Sequence, residues 1–376
     1  MRASMHAAVE NSYYTSMARK PSMVQEIGVL GHNYLCDDKV PDYLETSLIT
    51  SYMTGTEGYL WWCAFDQDHL DFAPYDYAGA EIYLGLCHAD YTPKAGLVKM
   101  RELQETLASI GDLPAPEKDA VCILSGASEH WERAYGAFML GVQAGRYVDF
   151  CHEEQPLKDA EYYILPCVSD YRGLPKCQAD FLDEKIRSGA KLLITYNGGV
   201  SRDFEKWTGL RVHGNEGVKN TIQFPVEESV LSIDRERKLF LESESAQVIA
   251  RDQDGNIAIA VNKYGKGSVT FVNAPLETFY TKSYYPENTE LYKIYENFFK
   301  EKKQIVSLDN PFVFRTVHKL DNGKIGIMLY NFEDEKNEID FTVENNYAIE
   351  SILFGELVEN KLIMQKKYAY LILSEK

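Results

Sequence analysis

The residues of this chain best placed to do chemistry are one carboxylate and two indoles. Glu26 closes the short run Met23-Val24-Gln25, and Trp61 and Trp62 sit within GYLWWCAFDQ, Gly58 to Gln67. A carboxylate at the end of a strand can serve as nucleophile or general base, and an indole face offers a stacking platform. Asp66 and Gln67 follow the tryptophans directly, with His69 in the same polar stretch and Tyr75, Asp76 and Tyr77 just beyond. Those side chains supply donors and acceptors where a loop would meet a ligand. His32 comes a few positions after Glu26, within reach of the same place. A plainer assignment stays open for each group. Glu26 could cap or ion-pair a helix, the tryptophans could be core, and the histidines and loop residues ordinary surface. No His, Cys and Asp spacing resembles a metal site, and no cofactor motif accompanies these residues.

Three elements must position this set. The runs ending at Glu26 and containing Trp61 and Trp62 lie behind Pro or Gly breakers and read as buried parallel strands. Between them Val40, Tyr43, Leu44, Leu48, Ile49 and Tyr52 recur at helical spacing. Strand, helix, strand puts the carboxylate at a strand's C-terminal end, where a (β/α)8 barrel builds its active site. Strand alternation turns the two tryptophans opposite ways, so only one can face that end. Upstream, MHAAVENSYYTSMAR forms a helix with Ala7, Ala8, Tyr14 and Met17 on one face. Downstream, Leu97, Met100, Leu103 and Leu107 mark a further amphipathic helix between Pro93 and Ile110.

QEIG followed by LWWCAFDQ resembles the last two strand motifs of a (β/α)8 retaining glycoside hydrolase of the cellulase/mannanase-like kind. The resemblance implies Glu26 as nucleophile and Trp61 or Trp62 as the ring that stacks on the sugar. Asp66 and Gln67 then sit where a loop would meet the sugar hydroxyls, with His69 in the same loop, and His32 is a further candidate site residue. A complete barrel takes about 250 residues, whereas the barrel-like pattern here stops near Ile110, so Met1 is expected to fall inside a longer barrel. The acid/base carboxyl of that family follows its fourth strand, and no strand here plays that part. The expectation is a C-terminal portion of a hydrolase, weakly active or inactive alone, with a homo-oligomer or an upstream barrel half as its partner. The alternative is a non-catalytic carbohydrate-binding or assembly protein that keeps a remnant site.

Composition sets the outer bounds. The 376 residues are 45% hydrophobic and 26% charged, with a formal net charge of −18. That balance suits a globular protein and argues against nucleic acid or anionic membrane as partner. The seven cysteines are dispersed, with no Cys-x-x-Cys pair, and read as buried thiols of a reducing, cytoplasmic compartment. No apolar run approaches the length of a membrane span.

The overall reading is a multidomain α/β chain. Residues 1–110 form the last units of the barrel, and 111–119 (GDLPAPEKD) a linker. Residues 120–303 form a doubly wound α/β module. Its strands are 120–125, 147–151, 162–168 and 191–196, its helices 129–144 and 174–188, and β-hairpins follow with turns at Asp254-Gly255 and Gly265-Lys266. It resembles the glutamine-amidotransferase-like module of some β-galactosidases. Tyr196 and Asn197 occupy the place of an amidotransferase nucleophile, and Cys167 reads as a buried thiol, so the module is taken as inert. A helix is expected over 287–303, and residues 304–376 alternate as a small antiparallel β-sandwich.

Overall fold

A computed structural model of the chain describes residues 5–28, 37–79, 82–126, 130–170, 174–283, 286–321, 323–333 and 337–376. The chain forms two compact units, one from Met1–Glu117 with Arg315–Lys376, the other from Lys118–Phe314.

The first unit opens with helix α1 (His6–Ala18), strand β1 (Met23–Ile27), helix α2 (Val40–Met53) and strand β2 (Gly58–Trp61). β1 and β2 pair in parallel, Val24 opposite Tyr59 and Ile27 opposite Trp61. The expected burial is not found: no residue of β1 is buried, and Leu60 of β2 is 53% exposed. A parallel sheet hides when helices cover both faces. Here the sheet has two strands only, so little lies over it among the described residues. β2 also stops at Trp61, earlier than the apolar run suggests. In α1 the buried face is Ala7, Ala8, Ser12 and Ser16, and Tyr14 is 56% exposed instead of sharing that face. Small side chains let α1 approach α2 closely, and the Asn11 amide donates to Thr54 Oγ1 at 3.1 Å across the junction. Helix α3 (Ala95–Ile110) packs on α2 and ends at Gly111 with φ 84°.

The second unit alternates β3 (Ala120–Leu124), α4 (His130–Gln143), β4 (Val148–His152), β5 (Tyr162–Val168), α5 (Lys176–Ser188), β6 (Lys191–Tyr196) and α6 (Phe204–Thr208). A long hairpin follows, β7 (Leu210–Val226) and β8 (Ser229–Ser243), then β9 (Gln247–Arg251), β10 (Ile257–Tyr264) and β11 (Gly267–Val272). Helices α7 (Leu276–Lys282) and α8 (Tyr292–Phe298) and strand β12 (Val306–Leu308) complete it. The sheet order is β4-β3-β5-β6-β11-β10-β9, with the first five strands parallel. Val121, Ile123, Tyr163, Leu165, Leu192 and Ile194 bury one face against α5 and α6. Helices α4 and α7 also pack on β3 and β5. The helix expected over 287–303 is confined to Tyr292–Phe298, and α7 has no counterpart in the expectations.

Two contacts tie this unit's layers together. Fully buried Trp207 donates its indole N–H to Asp183 Oδ1 at 2.9 Å, where Lys206 and the Tyr264 hydroxyl also converge at 2.6 and 2.8 Å. On the other side, Gly136 of α4 lies so near α7 that an added Cβ would stand 2.3 Å from the Glu277 carbonyl oxygen.

The first unit closes with β13 (Val313–Lys319), β14 (Ile325–Asn331), β15 (Glu338–Val343), β16 (Tyr347–Leu353), β17 (Gly355–Val358), β18 (Lys361–Met364) and β19 (Tyr368–Glu375). β13, β14, β19 and β16 form one sheet, and β18 pairs antiparallel with β15 and β17. Residues 111–117 are tied to it, with the His318 ring 2.7 Å from the Pro114 carbonyl. Among the described residues no helix is long and apolar enough to cross a membrane.

Two outcomes follow from these contacts. Gly136→Ala forces backbone against backbone and is expected to cost about 1–3 kcal/mol, read from urea unfolding midpoints. For Asp183, burial pushes the carboxyl up, but Lys206, Trp207 and Tyr264 outweigh it and bring it from 3.8 to about 2. A depressed acid stabilises the fold fully above the unfolded value and loses that contribution as pH falls toward the folded one. Unfolding followed from pH 4 to pH 2 should therefore steepen less in Asp183→Asn than in the parent chain.

Candidate functional site

β1 does not run straight to its end. Between the Val24–Tyr59 and Ile27–Trp61 pairs the register shifts, so β1 carries an extra residue relative to β2. Glu26 lies in that bulge with φ 51°. A left-handed backbone costs a residue with a Cβ roughly 1–2 kcal/mol. Bulges re-aim side chains, and such backbone outliers cluster at functional sites. The Glu26 side chain is exposed. It lines an open groove of about 480 Å³ between α1 and β1, shared with His6, Glu10, Asn11 and Tyr14. Among the described residues Glu26 joins no salt bridge. The groove's other carboxylate, Glu10, faces the His6 ring at 3.7 Å.

β2 ends at Trp61, so Trp62 lies outside the strand and the alternation expected between the two indoles does not apply to it. The Trp61 indole N–H donates to the Leu84 carbonyl at 3.2 Å, and its ring meets Tyr43 edge to face. Trp62 is 45% exposed. Its backbone N–H donates to the Ile27 carbonyl at 2.8 Å, which carries the ladder one step past β2. At Gly28 a Cβ would come 2.4 Å from the Trp62 carbonyl oxygen, so only glycine lets the strand ends lie this close.

Asp66 corrects the expectation of a solvated loop carboxylate. It is 2% exposed and takes hydrogen bonds from the Gly85 N–H at 3.0 Å and Lys94 Nζ at 2.7 Å, with His88 Nδ1 at 3.3 Å. Phe65 bridges to Cys87, folding the segment back on itself and enclosing the acid. Gln67 also turns inward, its amide N–H toward Cys63 Sγ at 3.8 Å and its Oε1 buried. His69 is exposed on the adjoining turn, and His32 lies outside the described residues. Lys94 escaped the sequence reading although a signal existed. It is the residue at the N-cap of α3, where a cation opposes the helix dipole and needs a tertiary partner.

In the second unit Cys167 ends β5 with φ 45° and is fully buried. Its thiol donates to Glu277 Oε2 at 3.0 Å, and the same carboxylate accepts from Thr195 Oγ1 at 2.6 Å and the Tyr295 hydroxyl at 2.8 Å. Burial, reinforced by the Glu277 charge, pushes the Cys167 thiol far up. A protonated, enclosed thiol is not a nucleophile. Cys177 departs from the buried-thiol expectation and is exposed. No group of three His, Cys, Asp or Glu among the described residues could hold a metal.

Asp66→Asn leaves the Lys94 ammonium, 9% exposed, without its counter-charge. The expected loss is about 3 kcal/mol or more, with part recovered in Asp66→Asn/Lys94→Met. Urea unfolding of the single and double variants checks both values; a single-variant loss below about 1 kcal/mol would mark the pair as solvent-screened.

No protein-family model matches the sequence, and no curated protein matches it. Solved structures do. A β-galactosidase from Bacillus circulans sp. alkalophilus aligns over 100% of this chain and 58% of its own, at 13% identity and TM-score 0.70. An exo-β-1,4-mannosidase from Opitutaceae bacterium strain TAV5 aligns over 78% and 55%, at 20% identity and TM-score 0.63. An α-L-fucosidase isoenzyme 2 from Paenibacillus thiaminolyticus aligns over 98% and 62%, at 9% identity and TM-score 0.66. The chain thus spans less than two thirds of each of these proteins. At such identities the likeness is one of fold alone: this chain shares its fold with part of each of these three proteins.

Proposed function

We propose that this chain supplies the nucleophile-bearing part of a retaining glycoside hydrolase acting on β-glycosidic bonds. The observation that carries the reading is Glu26 itself, in a left-handed bulge at a strand end, exposed to a groove, with the Trp61-Trp62 segment on the neighbouring strand. Glu26 attacks the anomeric carbon as the glycosidic C–O bond breaks, forming a glycosyl ester. A second carboxylic acid protonates the departing oxygen and, as its conjugate base, then activates the water that hydrolyses the ester. Trp62, the exposed indole, is the stacking platform, while Trp61 holds β2 through Leu84 and Tyr43. Asp66 acts from below, fixing the segment that follows Trp62. No cofactor or metal enters this scheme.

The second carboxyl group comes from elements beyond the described ones, either an upstream barrel half or another copy of the chain. The two-stranded sheet supports this, since it leaves Met23 and Leu60 exposed where further strands would cover them. The same exposure fits a second reading, a carbohydrate-binding or assembly protein with a remnant site.

Turnover of aryl β-glycosides decides between them. The chain alone is expected to turn over little, and the chain supplied with an upstream barrel half substantially more. Glu26→Gln should remove that activity by about three orders of magnitude. A 2-fluoro glycoside should esterify Glu26, as read by peptide mass spectrometry. A label on another residue refutes the nucleophile assignment, and no turnover in any assembly leaves the non-catalytic reading.

A further inference from the structure

The second unit carries a cleft that the hydrolase reading does not use. About 850 Å³ opens between the β7–β8 hairpin and α7, lined among others by Asn197, Asn220, Thr221, Asp234, Phe279 and Lys282. That volume lies in the range of small-ligand sites. From this geometry we infer that the cleft binds a neutral saccharide of two or three units, separately from Glu26.

Three features define the ligand. First, the hairpin wall is shaped at a fault in its ladder. The β7–β8 register shifts between Gly217 and Asn220, and the cleft residues Asn220 and Thr221 follow that shift. Second, the wall rests on an anchored arginine. Arg235 is 3% exposed, its Nη2 lies 3.5 Å from Asp252, and its Nε donates to Asn220 Oδ1 at 3.2 Å. That bond fixes the Asn220 amide plane and leaves its NH2 group as a donor for a ligand.

Third, the charges are mixed and partly paired. Arg235 faces Asp252 and Lys282 faces Glu132 at 3.4 Å, while Asp234 takes a hydrogen bond from the Thr221 hydroxyl at 2.5 Å. With Lys219 and Glu236 of opposite sign on the same lining, the cleft selects neither an anion nor a cation. Two amides, a hydroxyl and a carboxylate around the half-buried Phe279 ring suit a ligand with hydroxyl edges and an apolar C–H face. A pyranose has both.

The intact chain should be titrated with lactose, cellobiose and β-1,4-mannobiose, using calorimetry and ligand-observed saturation-transfer NMR. At least one disaccharide should bind, and Phe279→Ala and Asn220→Ala should each weaken it by about tenfold. Glu26 and Trp62 are intact in both variants, which separates this cleft from the proposed catalytic groove. Asn220 is exposed, so its substitution reports on binding even if Phe279→Ala loosens the fold. The inference is overturned if no disaccharide binds at tens of millimolar. It is equally overturned if both cleft variants bind unchanged.

Discussion

The parallel ladder between β1 and β2 is the constraint on which the candidate site depends. It sets Ile27 opposite Trp61 and continues through the Trp62 N–H, so the acid and the indoles leave their strands at the same end. Within that ladder one extra residue changes the chemistry. A regular strand would alternate Glu26 with its neighbours; the bulge and left-handed φ instead let it leave the pleat toward an open groove. Gly28 then permits the close approach that brings the Trp62 carbonyl against the strand end.

The segment after Trp62 has few regular elements and is held by both backbone hydrogen bonds and electrostatics. The Cys63 N–H donates to the Leu84 carbonyl and the Leu86 N–H to the Cys63 carbonyl, and Asp66, Lys94 and the Gly85 N–H add a buried ionic and hydrogen-bonded knot. Glu277 plays a related part in the second unit, joining Thr195, Cys167 and Tyr295 across strand and helix layers. Both carboxylates are structural because their partners satisfy them. Glu26 differs in having no such partner among the described residues, which is why the functional reading rests on it.

Much of the fold was legible because it follows local periodicity. The strands at 120–124, 162–168 and 191–196 are continuous apolar runs between breakers, as a sheet buried on both faces requires. Helices α2, α4 and α5 follow their apolar spacing closely. The misses have physical causes. The β7–β8 turn falls at Val226–Ser229 and uses Glu227 at φ 53°, with no Asn-Gly or Asp-Gly pair to announce it. Helix α7 is seven residues long, too short for its period to show. On α1, Ala7 and Ala8 are buried as their spacing predicts, but Ser12 and Ser16 complete the face in place of Tyr14, because close helix packing selects small side chains. For the site, Glu26 and the tryptophan pair could be found from strand-end position, while the burial of Asp66 and Gln67 could not.

By itself the sequence determined which residue types stand at the strand ends, the alternation of strands and helices in the second unit, and the acidic character of the chain. These are properties of spacing and composition, read within a window of a few residues. Tertiary structure alone decided which indole is exposed, that β1 bulges at Glu26, and that Asp66 is sealed by Lys94 and Gly85. It also decided that the hairpin and α7 enclose a cleft. Each of these depends on groups far apart in the chain meeting at hydrogen-bond distance, and no local pattern encodes a partner that far away.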